Sequence, residues 1–379
     1  MLAKRWLMLI RRFAVFVAAV FAATSISCMQ NNANKTAADS SLRATKGESN
    51  AAVPTTSVVT FTGRCDGSAA APVAAGRFLV TASDETDAAT EENTLAVYDP
   101  QKGGAPVATL ALNDVLGMPK TDKRSKKEAD LESATVLNGR IFWIASHSLS
   151  KNGEERTARY QFFATKEIGT DGALEISGTP YHLLERDLLA DKALSPFLES
   201  AAARTPEESG GWNIEGMTAT PDGKILIAFR NPVVGGKHAL LVPLLNPEAV
   251  VDGKEGAKFG AAIKLDLSGG ESASGAELGI RDIAWWAERK QYVILAGSYL
   301  PGEKAKAAFR LLLWDGKGVP APVTPPVDLS TLNAPEAVFI QPGDDKRVMV
   351  LSDDGSVDGC KEKPDNERRF NGIWVTVPR

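Results

Sequence analysis

One unit recurs five times in the chain, and this recurrence limits the possible folds more than any other feature. Each unit has two short apolar runs joined by a tight turn, with acidic or polar residues before the first run and after the second. The copies begin at Cys65, Asp130, Asn213, Gly279 and Ala334. Strand pairs repeated every few tens of residues are typical of β-propellers, in which each repeat forms one blade. The sequence therefore predicts an all-β propeller.

Further strand-like runs complete the blades to four strands. Two such runs follow each of the first four units, but only FNGIWVTVP follows the fifth. We expect SVVTFTG, residues 57–63, to supply the missing strand, because a ring closes without an open edge when both chain ends share a blade. The prediction is five four-stranded blades within residues 57–379, with six blades as the alternative. Residues 183–209 interrupt the pattern and predict a small helical insertion.

The N-terminal segment, residues 1–27, has the pattern of an export signal. Four basic residues precede an apolar run, residues 13–23, that is too short to span a bilayer. Cys28 follows Thr-Ser-Ile-Ser, which is similar to a bacterial lipobox, although Ser25 stands where that pattern usually has Leu. We expect a periplasmic or outer-membrane lipoprotein anchored at Cys28, with ordinary cleavage and secretion as the alternative. Residues 28–56 have the polar composition of a disordered tether.

Cysteine content and charge add two expectations. Besides Cys28 the chain has only Cys65 and Cys360, and two cysteines in an oxidising compartment suggest one disulfide, here across the seam of the ring. The net charge is −4, and it becomes −8 without residues 1–27, which carry four basic and no acidic residues. An acidic exported protein is a poor partner for nucleic acid or anionic lipid. We therefore expect membrane contact only through the N-terminal lipid.

The repeat also predicts a polar site. Propeller strands alternate in direction, so the start of the first strand and the end of the second lie on one face of the disk. The predicted ligand-binding residues at this channel mouth are Asp66, Glu132, Glu215, Arg230, Asn231, Asp282, Glu336 and Asp353.

Several carboxylates converge at this mouth, and their negative charges need to be compensated. Such groups repel each other unless protons, arginines or a bound cation compensate, and oxygen-rich sites suit Ca²⁺ or Mg²⁺. The candidate metal ligands are Glu132, Glu215, Asp282 and Glu336. Alternatively, these carboxylates accept hydrogen bonds from neighbouring blades and specify the fold. No further cofactor is indicated.

Three classes of function are compatible with this pattern. The first is a cell-envelope propeller that binds a small ligand or cation without covalent catalysis. The second is a cation-dependent, esterase-like hydrolase of phosphoesters or lactones, in which Glu132, Glu215 or His147 moves a proton. The third is a protein-binding module, because fold does not fix function. A solvent-reachable carboxylate cluster would favour the first two, and an apolar plug in the channel would favour the third.

The motifs CDGSAA, EADLESA, IASHSLSKNGE, NIEGM, FRNP, GIRDI and LSDDG together resemble the bacterial family called domain of unknown function 3616. The resemblance covers roughly residues 60–378 and implies a propeller-like body. More distantly, the EG and PDG elements are similar to those of phytase-like and gluconolactonase-like propellers. In those propellers carboxylates at the channel mouth bind a divalent cation, and only Glu215 of NIEGM matches such a ligand motif closely.

Overall fold

Five antiparallel sheets of four strands each make up the body of the protein in a computed structural model that describes residues 56–87, 90–118, 127–269, 277–299 and 309–379. This confirms the five-bladed propeller. The predicted export signal, Cys28 and the tether up to residue 55 lie outside the described residues.

The strands follow the repeat closely. Blade 1 contains β2 (Ala69–Val73), β3 (Phe78–Ala82), β4 (Thr94–Tyr98) and β5 (Ala108–Ala111). Blade 2 contains β6 (Leu131–Leu137), β7 (Arg140–Ala145), β8 (Phe162–Glu167) and β9 (Leu174–Ile176). Blade 3 contains β10 (Asn213–Ala219), β11 (Ile225–Val234), β12 (His238–Leu244) and β13 (Ile263–Asp266). Blade 4 contains β14 (Leu278–Trp286), β15 (Gln291–Ser298), β16 (Arg310–Trp314) and β17 (Ala321–Pro322).

Blade 5 closes the ring with strands from both ends of the described chain. It contains β18 (Ala334–Phe339), β19 (Arg347–Asp353), β20 (Arg369–Thr376) and β1 (Thr56–Thr62), in the order β1-β20-β19-β18. All seven residues of β1 pair with β20, from Thr56 opposite Val375 to Thr62 opposite Arg369. The predicted sharing of the last blade is therefore confirmed. The innermost strands β2, β6, β10, β14 and β18 contact one another in sequence around the axis.

The core lies between the blades rather than inside one of them. In β7, Ile141, Trp143 and Ala145 pack in the cluster shared with blade 1, whereas Phe142 and Ile144 pack in the cluster shared with blade 3. Alternate strand residues point to opposite faces of a sheet, so a strand buried on both faces needs an unbroken apolar run. This is why the second strand of each unit is the most apolar part of the repeat.

Three short helices accompany the sheets among the described residues: α1 (Leu184–Ala190), α2 (Ser195–Ala202) and α3 (Pro247–Val251). The first two confirm the predicted insertion, and their buried leucines, including Leu184 and Leu198, join the cluster around Ile214 and Phe229. No helix in the described part of the chain is long and apolar enough to cross a membrane.

The seam between blades 5 and 1 is fixed covalently. Cys65 and Cys360 form a disulfide with their Cα atoms 5.9 Å apart, as the cysteine count predicts. Beside it, the rings of Phe61 and Phe370 stack with centroids 4.9 Å apart, and Tyr98 of blade 1 meets both rings edge-on. The two ends of the ring are thus held by a covalent bond and by an aromatic cluster.

Loss of the disulfide should destabilise the ring without preventing it from forming. The two cysteines are 295 residues apart in the chain, and cross-linking so long a loop contributes up to about 5 kcal/mol in the chain-entropy model. We expect the double variant Cys65→Ser, Cys360→Ser to unfold at lower denaturant concentration by an amount up to this value. Oxidised and reduced wild-type protein provide the matched comparison, and identical transitions in all three samples would contradict the prediction.

Candidate ligand-binding site

A β-bulge recurs at equivalent positions in four of the innermost strands. Two residues of β6 oppose one of β7 at Glu132, because Leu131 pairs with Ala145 and Ser133 with Ile144. The same shift in register occurs at Glu215 in β10, at Arg281 in β14 and at Glu336 in β18. A bulge adds one residue to the strand and re-aims its side chain. These four side chains all line one cavity at the channel mouth.

The cavity is a polar cup of about 900 Å³. Its wall includes Arg230 and Asp353 at the ends of second strands, and Asp84 and Glu85 after β3. Pro206 and Glu207, which follow α2, also line it. The segment that carries them is held by Asn231, whose side-chain amide donates to the carbonyl oxygens of Pro206 and Glu208 at 3.0 and 2.6 Å. The helical insertion therefore shapes one side of the cup.

Arg281 is the central cation of the floor. Its Nη1 lies 3.0 Å from Oε2 of Glu215, and its Nη2 pairs with Oε1 of Glu336. Glu215 is further held by Arg230, with Nη1 2.7 Å from Oε1, and by the Asn213 amide at 2.7 Å. Burial raises the pKa of Glu336 well above its ordinary value, although Arg281 acts against this shift. Two carboxylates of the floor are thus neutralised by side chains of the protein itself.

Arg159 organises a second acidic group on the wall. Its guanidinium pairs with Glu128 and lies 2.9 Å from Oδ2 of Asp130, and it donates to the Ser148 hydroxyl at 2.9 Å. Burial, followed by repulsion from Asp130, raises the pKa of Glu128 to about 7 despite this ion pair. One arginine therefore serves two carboxylates here as well.

A third acidic group lies at the seam of the ring. The backbone N–H of Asp84 donates to Oδ2 of Asp66 at 3.1 Å, and Asp66 bridges to Asp353 through the backbone. Burial is the main cause that raises the pKa of both Asp84 and Asp353, the latter to about 6, and the Asp66 carboxylate adds to both shifts. Lys361, next to the disulfide, pairs with Glu85 at the rim.

Glu132 differs from these groups. Its side chain lines the cup, yet it accepts no hydrogen bond and makes no ion pair with any described residue. The residue is only 9% exposed. Burial and then repulsion from Asp130, Glu215 and Glu336 raise its pKa well above the ordinary value, and Arg281 opposes them only as the last of these influences. The floor therefore contains one buried carboxyl group with no partner from the described chain.

Five of the eight predicted ligand-binding residues line the cup: Glu132, Glu215, Arg230, Glu336 and Asp353. The other three, Asp66, Asn231 and Asp282, do not. Asp66 lines a small neighbouring cavity of about 40 Å³, and Asn231 positions the rim segment.

Asp282 and His147 lie behind the cup lining. The Asp282 carboxylate accepts hydrogen bonds from the Ser133 hydroxyl at 2.9 Å and from the backbone N–H groups of Ile283 and Val338 at 2.8 and 2.7 Å. Those partners belong to three different blades. The buried ring of His147 places Nδ1 2.8 Å from the carbonyl oxygen of Ala145, and burial lowers its pKa to about 4.

The sequence reasoning missed several polar residues of the cup as ligand-binding candidates, among them Glu128, Asp130, Arg159 and Lys361. Glu128 and Asp130 precede Glu132 at intervals of two residues, so the alternation in EADLE could have identified them. Arg159 and Lys361 belong to loops outside the repeated unit, where strand periodicity does not indicate where a side chain points.

Three of the four candidate metal ligands already have partners within the protein. Calcium takes six to eight oxygen ligands, but Glu215 and Glu336 already share Arg281, and Asp282 points between the blades. Within the described ranges, no group of three or more His, Cys, Asp and Glu side chains is arranged to hold a metal ion. Three of the four candidate ligands are therefore engaged by donors of the protein, and Glu132 is the one without such a partner among the described residues.

Removal of the Arg281 charge should destabilise the protein in a pH-dependent way. Breaking a buried ion pair on one side costs about 3–5 kcal/mol, so we expect Arg281→Gln to lower the free energy of unfolding by that order at pH 7. Acid should narrow the gap to wild type, because the Glu336 carboxyl group, left without a cation, binds a proton in the folded state as the pH falls, whereas Glu215 keeps its pair with Arg230.

Denaturant unfolding at several pH values measures this gap. Lys254→Gln is the control, since Lys254 is exposed and pairs with Asp252 at 2.9 Å on the surface, where such pairs contribute about 1 kcal/mol or less. A gap for Arg281→Gln that stayed constant with pH would contradict the proposed charge balance.

Three solved structures are similar to the chain at low sequence identity. The chain is similar to Myxococcus xanthus glutaminyl cyclase, with 10% identity, a TM-score of 0.41, and coverage of 85% of this chain and 96% of that one. It is similar to the PQQ-bound aldose sugar dehydrogenase of Streptomyces coelicolor, with 13% identity, a TM-score of 0.39, and coverage of 85% and 98%. A luciferin-regenerating enzyme gives 11% identity, a TM-score of 0.37, and coverage of 85% and 97%. No curated protein matches the sequence.

The family comparison agrees with the motifs. Three of them, NIEGM, FRNP and GIRDI, supply Glu215, Arg230 and Arg281 to the floor of the cup, and all three lie in the matched segment. The family described as protein of unknown function (DUF3616) matches residues 158–316, which run from β8 of blade 2 to β16 of blade 4.

Proposed function

We propose that the protein is a binding propeller whose cup takes up a small polar ligand, with Glu132 as the group that recognises it. The observation that carries the proposal is the position of Glu132 in a cavity of about 900 Å³ without a partner among the described residues. The residue is only 9% exposed and lines the cup, so a ligand in the cup can supply the hydrogen bonds that the protein does not. The cavity lies within the usual volume range of ligand sites.

The polarity of the cup argues for a polar ligand. Charged side chains dominate its lining, and apolar groups such as Phe309 and Pro206 are in the minority. An apolar plug, which would favour a protein-binding module, does not fill the cup. A cation-dependent hydrolase has less support, because Glu215 and Glu336 are engaged by Arg281 and His147 does not line the cavity.

A matched trio of small compounds tests the binding function. 4-Amino-1-butanol, 1,4-butanediol and 4-hydroxybutanoate have similar size but carry a positive, zero and negative charge. We expect at least one of them to raise the melting temperature of the wild-type protein, since binding to the folded state stabilises it by mass action. Glu132→Gln should weaken that binding by about tenfold or more, which is about 1.4 kcal/mol.

The control for this experiment is Glu175→Gln, which changes an exposed glutamate of β9 paired with Lys166 outside the cup. It should respond to the compounds as the wild type does. Compounds that stabilise neither protein, or that stabilise wild type and Glu132→Gln equally, would overturn the proposed site.

We also propose that this propeller works outside the cytoplasm, as a lipoprotein anchored at Cys28. The signal pattern of residues 1–27 supports export, and the Cys65–Cys360 disulfide agrees with an oxidising compartment. We expect Cys28→Ala to move the protein from the membrane fraction to the soluble fraction. Ser41→Ala, in the same segment, should leave fractionation unchanged, and an unchanged Cys28→Ala would favour simple secretion.

A further inference from the structure

We infer that the ligand presents an organic ammonium or guanidinium group, and that this group replaces a proton on Glu132 when it binds. The inference rests on the proposed binding function and adds the chemical class of the ligand to it. It follows from the charge balance of the floor and from the contacts already made by its cations.

The floor has one more carboxylate than it has cations. Glu132, Glu215 and Glu336 face Arg281 and Arg230, and both arginines are already paired with Glu215 or Glu336. With Glu132 ionised, and with Glu215 and Glu336 counted as ionised in their arginine pairs, these five groups carry a net charge of −1. With Glu132 protonated, they are neutral. One proton and one monovalent cation are therefore interchangeable at this position.

The groups around Glu132 leave it no other counter-charge. Asp130 precedes it on the same strand, and Glu215 and Glu336 approach from the neighbouring inner strands β10 and β18. Arg281 of β14 is committed to the last two, while Arg159 is committed to Glu128 and Asp130. Burial, together with their combined field, raises the pKa of the Glu132 carboxyl well above its usual value.

An organic cation fits this position better than a metal ion. A single carboxylate is sufficient to pair with one ammonium or guanidinium group through charge-assisted hydrogen bonds. Calcium, in contrast, needs six to eight oxygen ligands, whereas both Glu215 oxygens and Oε1 of Glu336 already pair with arginines, which leaves only Oε2 of Glu336 without a partner. The remaining cup volume of about 900 Å³ also exceeds what one ion requires.

Isothermal titration calorimetry of the full chain tests the exchange. 4-Amino-1-butanol remains protonated at pH 7, since amines of this kind have pKa values near that of lysine, about 10.4. The Glu132 proton is released to the buffer on binding, so the measured heat should depend on the ionisation enthalpy of the buffer. We expect release of close to one proton and an affinity that rises up to tenfold per pH unit until Glu132 is ionised.

Two variants assign the proton. Glu132→Gln should abolish both the release and most of the affinity, while Glu175→Gln should retain both, because Glu175 is exposed and pairs with Lys166 outside the cup. Heats that do not depend on the buffer, or proton release that persists in Glu132→Gln, would overturn the inference.

The other probes separate this inference from the binding function itself. If 1,4-butanediol or 4-hydroxybutanoate binds through Glu132 and 4-amino-1-butanol does not, the cup binds a ligand but the assigned class is wrong. If CaCl₂ displaces 4-amino-1-butanol at lower concentration and releases more than one proton, a metal site is the better assignment. If none of the three organic compounds binds, the proposed function fails together with the inference.

Discussion

The guanidinium group of Arg281 is the contact on which the acidic floor depends. It lies between the carboxylates of Glu215 and Glu336, which belong to the blades on either side of its own. Without this cation, inner strands carrying like charges would converge at the axis, where burial makes repulsion strong. Because the arginine is itself buried and paired twice, it engages both oxygens of Glu215 and Oε1 of Glu336. Glu132, in contrast, makes no ion pair with a described residue, and the proposed ligand site depends on this difference.

At this floor, two consecutive residues of blade 4 face different surroundings. The bulged residue of blade 4, Arg281, faces the cup, and the next residue, Asp282, accepts hydrogen bonds from Ser133 and Val338 of other blades. The Ser133 hydroxyl in turn accepts from the backbone N–H of Met217 in blade 3. These bonds connect four blades just behind the cavity lining. Asp282 therefore supports the interpretation that the acidic ring specifies the fold, whereas Arg281 and the two glutamates that it pairs with line the cup.

The sequence was sufficient for the fold and for about half of the site, for physical reasons. Strand pairs and apolar runs are set by a period of two and by burial on both faces, so blade number and the closing strand of residues 57–63 could be predicted. A β-bulge shifts side-chain direction by one residue without any change in composition, so Arg281 and Asp282 could not be told apart. The partners of Arg159 depend on a loop conformation that has no repeat.

The glycines of the floor motifs show how the blades approach closely enough for these contacts. A Cβ atom on Gly216, directly after Glu215, would lie 2.9 Å from the Cβ of Ala228 and 3.3 Å from the Cα of Asp282. A Cβ on Gly279 would lie 1.8 Å from the carbonyl oxygen of Arg230. Larger residues would push blades 3 and 4 apart, and Arg281 would then lose its reach to Glu215. The glycines of NIEGM and GIRDI thus set the distance over which the ion pair forms.

Closure of the ring and construction of the cup depend on each other at the seam. Cys360 is bonded to Cys65 and is followed by Lys361, which pairs with Glu85 on the rim of blade 1. On the same side, Asp353 of β19 bridges to Asp66 and accepts a hydrogen bond from Gly355 at 2.6 Å. The residues that join blade 5 to blade 1 are therefore also residues of the cup wall or its direct neighbours. A binding site assembled from all five blades needs this joint, because the wall between Asp84 and Asp353 exists only when the ring is closed.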